Sequence, residues 1–283
     1  MVNAKDIVNS NIQKYIDGNI TLKDDQICSE EPLEYLLPFE SNGEKIKYKT
    51  LAITMRTPGN DIELATGFLY SEGIITQASD ILGFRYNKER GDAGYKNSLE
   101  IKLKTPLNSD DSKIERRFTT YSSCGLCGKT SIKSLEIQNP PRLDEQSDSI
   151  QMSSLNELSN KMLNDQALFQ QTGSAHASGL FDYNGTILQV FEDVGRHNAL
   201  DKLIGFYLRT EPELLKKSIL LVSGRVSFEL VQKAIMAGIP IVAAVGAPSS
   251  LAVETANRFN LTLVGFLRSN SFNIYNAPFR LKK

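Results

Sequence analysis

Cysteine is scarce in this chain, with Cys28, Cys124 and Cys127 the only three in 283 residues. So small and odd a set excludes a disulfide framework and fits a reducing compartment. Histidine is scarcer still, at His176 and His197 alone. Neither charge sign is in excess: 32 basic against 33 acidic residues leave a net charge of −1. That balance excludes a global pull toward nucleic acid or an anionic membrane, so any anionic ligand has to be held by a local site. No run of about 18 apolar residues is present to span a bilayer. The polar start Met1-Val2-Asn3-Ala4-Lys5-Asp6 has no apolar export core. These features lead us to expect a soluble cytoplasmic protein with no nucleic-acid or membrane partner. The 41% hydrophobic content of 283 residues supports a substantial core divided over two domains, or one large one.

Two of the cysteines stand together in Tyr121-Ser122-Ser123-Cys124-Gly125-Leu126-Cys127-Gly128-Lys129. A core cysteine normally lies in an apolar run, whereas Gly and Ser leave a thiol accessible. A nearby Lys and backbone N–H groups favour the thiolate, the form that attacks sulfur, binds metal or carries a persulfide. The pair alone leaves four readings open: redox dithiol, half a zinc site, sulfur carrier, or inert thiols. Cys28 reads most simply as a lone structural or surface thiol.

Residues 1–145 read as an α+β unit carrying the C-x-x-C segment. Strands fall around Tyr48–Met55 and Leu99–Leu103, with a helix over Asp61–Glu72 ended by Gly73. Phe84–Lys96 and Thr105–Lys113 read as loops, and residues 138–153, with Pro140-Pro141, as an interdomain linker. Residues 146–283 are more regular. Ser154 and Glu157 suggest a capping box opening a helix with Leu155, Leu158, Met162 and Phe169 on one face. Two strands then meet at Asn184-Gly185, the strongest short hairpin signal. A helix follows with Leu200, Leu203, Ile204, Tyr207 and Leu208 on one side. Strands at Ser218–Val222, Pro240–Val245 and Leu261–Leu267 alternate with helices over 228–237 and 250–259. The order α-β-β-α-β-α-β-α-β predicts a three-layer α/β domain resembling the cytidine-deaminase-like fold, with a smaller N-terminal α+β domain.

Ligands of such sheets bind beyond the carboxyl ends of the strands. Small residues and arginines collect there: Ser223-Gly224-Arg225, Gly246 through Ser249, and Phe266-Leu267-Arg268-Ser269-Asn270-Ser271. Small residues let a ligand approach the backbone, and an arginine fork suits phosphate or a planar base. A zinc deaminase site is not expected. His197 is followed two residues later by Ala199 rather than Glu, and 223–228 hold no cysteine. A site of Cys124, Cys127, His176 and His197 has the right count but not the short spacings of structural zinc sites. Gly on both sides of Cys127 also makes a poor case for a thioredoxin-like motif, which needs its C-x-x-C to open a helix after a strand.

Several strings taken together resemble the formate dehydrogenase accessory sulfurtransferase family, FdhD. They are Ser123-Cys124-Gly125-Leu126-Cys127-Gly128, His176-Ala177, Glu192 through Lys202 (EDVGRHNALDK), Ser223-Gly224-Arg225, Gly238-Ile239-Pro240, Ala247 through Ala252, and Leu263 through Arg268. Arg56-Thr57-Pro58-Gly59-Asn60, Gly67-Phe68-Leu69 and Ser71-Glu72-Gly73 extend the match into the first half. The resemblance implies a cytoplasmic, usually dimeric protein that receives sulfur from a cysteine desulfurase as a cysteine persulfide. It would pass that sulfur to the bis-molybdopterin guanine dinucleotide of formate dehydrogenase, bound as substrate, with GDP as a mimic and no intrinsic metal. By its match to the family's first cysteine, Cys124 is the implied persulfide carrier and Cys127 its partner in release. A noncatalytic cofactor chaperone and a deaminase-like nucleotide enzyme remain as alternatives.

Overall fold

The computed structural model describes residues 6–40, 47–87, 96–108, 132–143 and 149–283. The first half contributes strands β1 (Ile7–Ile16), β2 (Asn19–Cys28), β3 (Glu31–Glu40) and β4 (Lys47–Arg56), then helix α1 (Asp61–Ser71). Strands β5 (Ile81–Tyr86), β6 (Ser98–Leu103) and β7 (Leu107–Asn108) follow. Next come α2 (Ile132–Ile137), β8 (Ile150–Gln151), α3 (Leu158–Asp165), α4 (Ala167–Thr172), β9 (His176–Phe181) and β10 (Ile187–Asp193). The remainder runs α5 (Arg196–Thr210), α6 (Pro212–Leu215), β11 (Ile219–Val222), α7 (Phe228–Met236), β12 (Ile241–Ala244), α8 (Ser250–Arg258), β13 (Thr262–Arg268), β14 (Ser271–Asn276) and β15 (Leu281–Lys282).

The result is a mixed α/β structure with four sheets among the described residues. A six-stranded sheet has the order β10-β9-β11-β12-β13-β14, with β11, β12 and β13 parallel and the flanking pairs antiparallel. The continuous apolar runs Ile219–Val222 and Ile241–Ala244 sit at its centre because both of its faces are covered. Leu220, Val222, Val242 and Ala244 point into a core shared with α5, α7 and α8. Ile219, Leu221, Ile241 and Ala243 point the other way, toward Leu155, Leu158 and Met162. The second sheet, β4-β3-β6-β5 with β7 beside β3, packs Leu33, Tyr35, Leu37, Leu99 and Ile101 against Leu64, Ala65, Phe68 and Leu69 of α1.

Helix α1 is therefore covered on one side by the five-stranded sheet, and its other side meets α5. The two helices touch backbone to backbone. A Cβ on Gly67 would lie 1.9 Å from the Asp201 carbonyl oxygen, and one on Gly205 1.9 Å from that of Glu63. Only glycine at both positions permits this approach.

Several local readings change. Phe84–Tyr86 belongs to β5, where Arg85 opposes Glu100 and Tyr86 opposes Leu99, rather than to a loop. In the expected loop from Thr105, Leu107–Asn108 pairs with β3; residues 109–113 lie outside the described set. The expected helix from Ser154 to Phe169 is divided into a 3₁₀ turn, α3 and α4, with a break at Gln166 (φ −86°, ψ 67°). Glu157 makes no side-chain cap, and Phe169 ends up exposed while Leu155, Leu158 and Met162 are buried. Within the expected linker, Ile150–Gln151 pairs with Leu281–Lys282. Leu261–Leu267 was expected to be the last strand, but β14 returns antiparallel beside it. The Asn184-Gly185 hairpin forms as its sequence predicts, with Asp182 Oδ1 accepting from the N–H groups of Asn184 and Thr186.

Candidate functional site

The strand-end loops after β11, β12 and β13 lie against one another. Gly246 N–H donates to Gly224 O (3.0 Å), Val226 N–H to Ala247 O (3.0 Å) and Phe266 N–H to Gly246 O (3.1 Å). At the other side, Ser223 and Ala177 exchange two bonds: Ser223 N–H to Ala177 O at 3.0 Å, and Ala177 N–H to Ser223 Oγ at 2.9 Å. Glycine is required at 246, where an added Cβ would stand 2.8 Å from Gly224 O and Arg225 N. Ser223, Gly224, Gly246 and Phe266 thus form one ridge. Ser249 stands beside it and caps α8 by accepting from Ala252 N–H (3.2 Å).

The other expected residues take different positions. Leu267 is fully buried in the core. Ser269 and Asn270 make the turn into β14, which Ser271 opens, and Ser269 Oγ accepts from Asn160 (3.1 Å). Arg268 is held by its own strand ends, one Nη1 donating to Val245 O and Leu267 O at 2.8 Å each. Arg225 is exposed, with no hydrogen bond or ion pair to another described residue.

Three features missing from the sequence reading of the site adjoin this ridge. His176, at the start of β9, places Nδ1 3.4 Å from where a Gly224 Cβ would be. Burial, followed by Arg196, pushes its pKa below the usual 6.5. His197, in the first turn of α5, has Nε2 3.3 Å from Ser227 Oγ at the start of α7. Burial, reinforced by Lys233 and Arg196, pulls it down to about 4. Both imidazoles are neutral at pH 7, so the positive charge here comes from Arg196 and Arg225. Arg196 is also exposed and unpaired among the described residues. Unpaired guanidinium groups, glycine backbone and the N-terminal end of the 15-residue helix α5 suit an anionic, phosphate-bearing ligand. No group of three or more His, Cys, Asp or Glu side chains assembles as a metal site among the described residues.

The string Glu192–Lys202 has a second function, as the polar seam between the two sheet systems. Asp193 is fully buried; its Oδ2 pairs with Lys202 Nζ at 2.7 Å and accepts from Thr57 N–H at 3.2 Å. Its Oδ1 accepts from Gly195 N–H (2.8 Å) and Asn198 Nδ2 (3.1 Å). Lys202 also donates to Thr57 O (3.1 Å), and Asn198 to Met55 O (2.7 Å). One turn along α5, Asp201 is held by Lys233 at 2.8 Å and by Ser71 Oγ at 3.2 Å. Burial still raises its carboxyl to about 6. On the other side Arg56 grips Asp61 through two bonds (2.9 and 3.2 Å). Charged groups so deeply buried persist only when paired; each ion pair here lies within one half, and the other half adds neutral hydrogen-bond partners at Thr57, Met55 and Ser71.

Cys124 and Cys127, the proposed sulfur-bearing pair, lie outside the described residues. Cys28 is buried, with Sγ 3.2 Å from Thr57 Oγ1, and burial raises its thiol above the usual value. It is a protonated seam residue at the edge of an open cleft of about 480 Å³ also lined by Glu30, Glu31 and Pro32. No helix among the described residues is long and apolar enough to cross a membrane.

Residues 34–282 match the family model of the FdhD/NarQ family. The chain is 45% identical over 269 residues to the sulfur carrier protein FdhD of Streptomyces coelicolor, spanning 94% of this chain and 92% of the relative. It is 39% identical over 267 residues to the FdhD of Mycobacterium tuberculosis, at 93% and 94% coverage. With that of Sulfolobus acidocaldarius it shares 38% over 271 residues, at 95% and 96% coverage. A crystal structure of a formate dehydrogenase accessory protein from Desulfotalea psychrophila superposes with a TM-score of 0.70, covering 98% of this chain and 99% of that one. At 24% sequence identity, that likeness shows the fold alone.

Proposed function

The chain belongs to the FdhD/NarQ family, and from that premise we propose that it is a sulfurtransferase serving formate dehydrogenase. In this reading a cysteine desulfurase presents a persulfide, the Cys124 thiolate attacks its terminal sulfur, and the desulfurase thiolate leaves. The product is a persulfide on Cys124. Attack by the Cys127 thiolate on Cys124 Sγ then expels the terminal sulfur as sulfide to the metal of the bis-molybdopterin guanine dinucleotide. The resulting Cys124–Cys127 disulfide is reset by an external thiol. The dinucleotide is the substrate that accepts the sulfur.

The observation that carries this reading is the identity of 38–45% to proteins named sulfur carriers, over more than nine tenths of this chain and of each relative cited. The strand-end ridge supports a nucleotide end: Arg196 and Arg225 face outward unpaired beside glycine backbone, chemistry suited to the guanine nucleotide phosphates and to GDP as their mimic. We extend the reading to a cytoplasmic homodimer with an N-terminal unit over 1–145 and a cytidine-deaminase-like unit over 146–283. The strand order β10-β9-β11-β12-β13, with helices α5, α7 and α8 on one face, supports the latter.

The test is mass spectrometry of the full chain after incubation with a cysteine desulfurase and ³⁴S-labelled cysteine. A gain of one labelled sulfur on Cys124, lost on reduction and absent from Cys124→Ala, is expected. Label on neither Cys124 nor Cys127 would leave a noncatalytic cofactor holder as the better account.

A further inference from the structure

Among the described residues, the hairpin β1–β2 stands apart from the other sheets. Its ten-residue strands pair only with each other, and a lone two-stranded hairpin is marginal in water. At its base, Ile7 and Cys28 pack on Leu168, Ala175 and Val194. The register places Ile7 opposite Cys28, Gln13 opposite Leu22 and Tyr15 opposite Ile20. Opposed residues and every second residue share a face. The face that is buried at the base is therefore the one that carries Tyr15, Ile20 and Leu22 at the tip, where they are 70%, 65% and 81% exposed. Between base and tip it bears Asn9, Asn11, Gln13, Asp24 and Gln26, so Asp24 is its single charge. The opposite face also carries apolar residues, Val8, Ile12, Ile16 and Ile27, but sets three charges, Lys14, Lys23 and Asp25, among them.

We propose that this tip face is the contact between two copies of the chain, packed hairpin on hairpin about a two-fold axis. The inference rests on the homodimer reading above and assigns its surface. Three side chains at these exposures present on the order of 400 Å² of apolar surface, the size of patch that marks an interaction site. A two-fold axis uses such a patch twice. With the flanking amides, the buried area approaches the ~1,200 Å² at the lower end of stable specific interfaces. An apolar, nearly uncharged patch is complementary to itself, with no like charges brought together at Tyr15, Ile20 and Leu22. A differently charged client would be selected by charges that this face lacks.

Sedimentation equilibrium of the full chain tests this. The wild type is expected as a dimer whose dissociation constant changes less than about threefold between low and 1 M salt, because no ion pair holds it. The double variant Ile20→Asp with Leu22→Asp is expected to raise that constant at least ~100-fold, by burying carboxylates at the contact centre. Ile16→Asp, also exposed but on the opposite face, perturbs the same hairpin and is expected to leave the dimer intact. A double variant that stays dimeric overturns this surface and leaves the homodimer standing. A monomeric wild type overturns both. Equal loss of dimer in Ile16→Asp would mean that hairpin integrity, not this face, is what matters, and would also overturn the assignment. A double variant that stays dimeric but no longer activates formate dehydrogenase would assign the face to a client instead.

Discussion

Replacing Gly67 by Ala sets two well-known effects against each other. In an exposed helix interior the change stabilises by up to about 1 kcal/mol, because Ala is the better helix former. Here the new Cβ would lie 1.9 Å from the Asp201 carbonyl oxygen, where ordinary contact begins at 3.4 Å. The obstacle is backbone, so no side-chain rotation relieves it, and α1 and α5 must part by about 1.5 Å. Their separation loosens contacts along both helices and strains the Ser71–Asp201 bond of 3.2 Å. Overpacking against backbone falls at the top of the usual range, about 3 kcal/mol, leaving a net loss of about 2 kcal/mol after the helix-propensity gain. For a chain of this size, that lowers Tm by roughly 3–5 °C. Scanning calorimetry checks it, with Gly83→Ala as a control: Gly83 has open space around its Cβ position and ordinary negative φ, so its change is expected within about 0.5 kcal/mol. Gly67→Ala together with Gly205→Ala should cost less than the sum of the two, because helices already parted tolerate the second methyl. A Tm that rises in Gly67→Ala, or matches the Gly83 control, would refute the argument that close backbone packing joins the two halves.

Two further outcomes are expected. Arg225→Ala should weaken GDP about tenfold in a calorimetric titration, the loss of one charge-assisted contact; unchanged affinity would remove Arg225 from the ligand site. His197, held at about 4 against a usual 6.5, refuses in the folded state a proton that the unfolded chain accepts. Its contribution to stability is therefore present above pH 6.5 and is lost as pH falls toward 4. Urea unfolding of His197→Gln over that range should show a shallower acid loss than wild type, and parallel curves would refute the burial argument.

The parts of this fold that were legible in the sequence are those where apolar pattern and structure coincide. Ile219–Val222 and Ile241–Ala244 are continuous apolar runs because both faces of their sheet are covered, and Asn184-Gly185 announces its own turn. Elements at the margins were harder. Strand β14, Ser-Phe-Asn-Ile-Tyr-Asn, is half exposed at a sheet edge and carries little hydrophobic signal. Strands β1 and β2 are polar enough to hide the Asp17-Gly18 hairpin turn between them. That Ser223, Gly224 and Gly246 come together follows from the parallel order of β11, β12 and β13, which aligns their strand ends. Arg196 and His197 stood in one string and His176 in another, and their joint placement depends on long-range packing. The seam was least legible of all: Asp193, Lys202 and Arg56 are buried charges, and nothing in a linear pattern distinguishes them from a solvated helix face.

That seam also has a consequence for how the chain is made. Thr57 N–H finds Asp193 136 positions later in sequence, and Ser71 finds Asp201 130 positions later. At typical translation rates of 5–20 residues per second, about 7 to 27 seconds pass between synthesis of the two sides. During that interval the first sheet and α1 exist without the carboxylates that complete them, and with the glycine face of α1 uncovered. The nascent first half is thus exposed to chaperones and proteases until α5 emerges, and what closes it is a helix from the second half of the sequence.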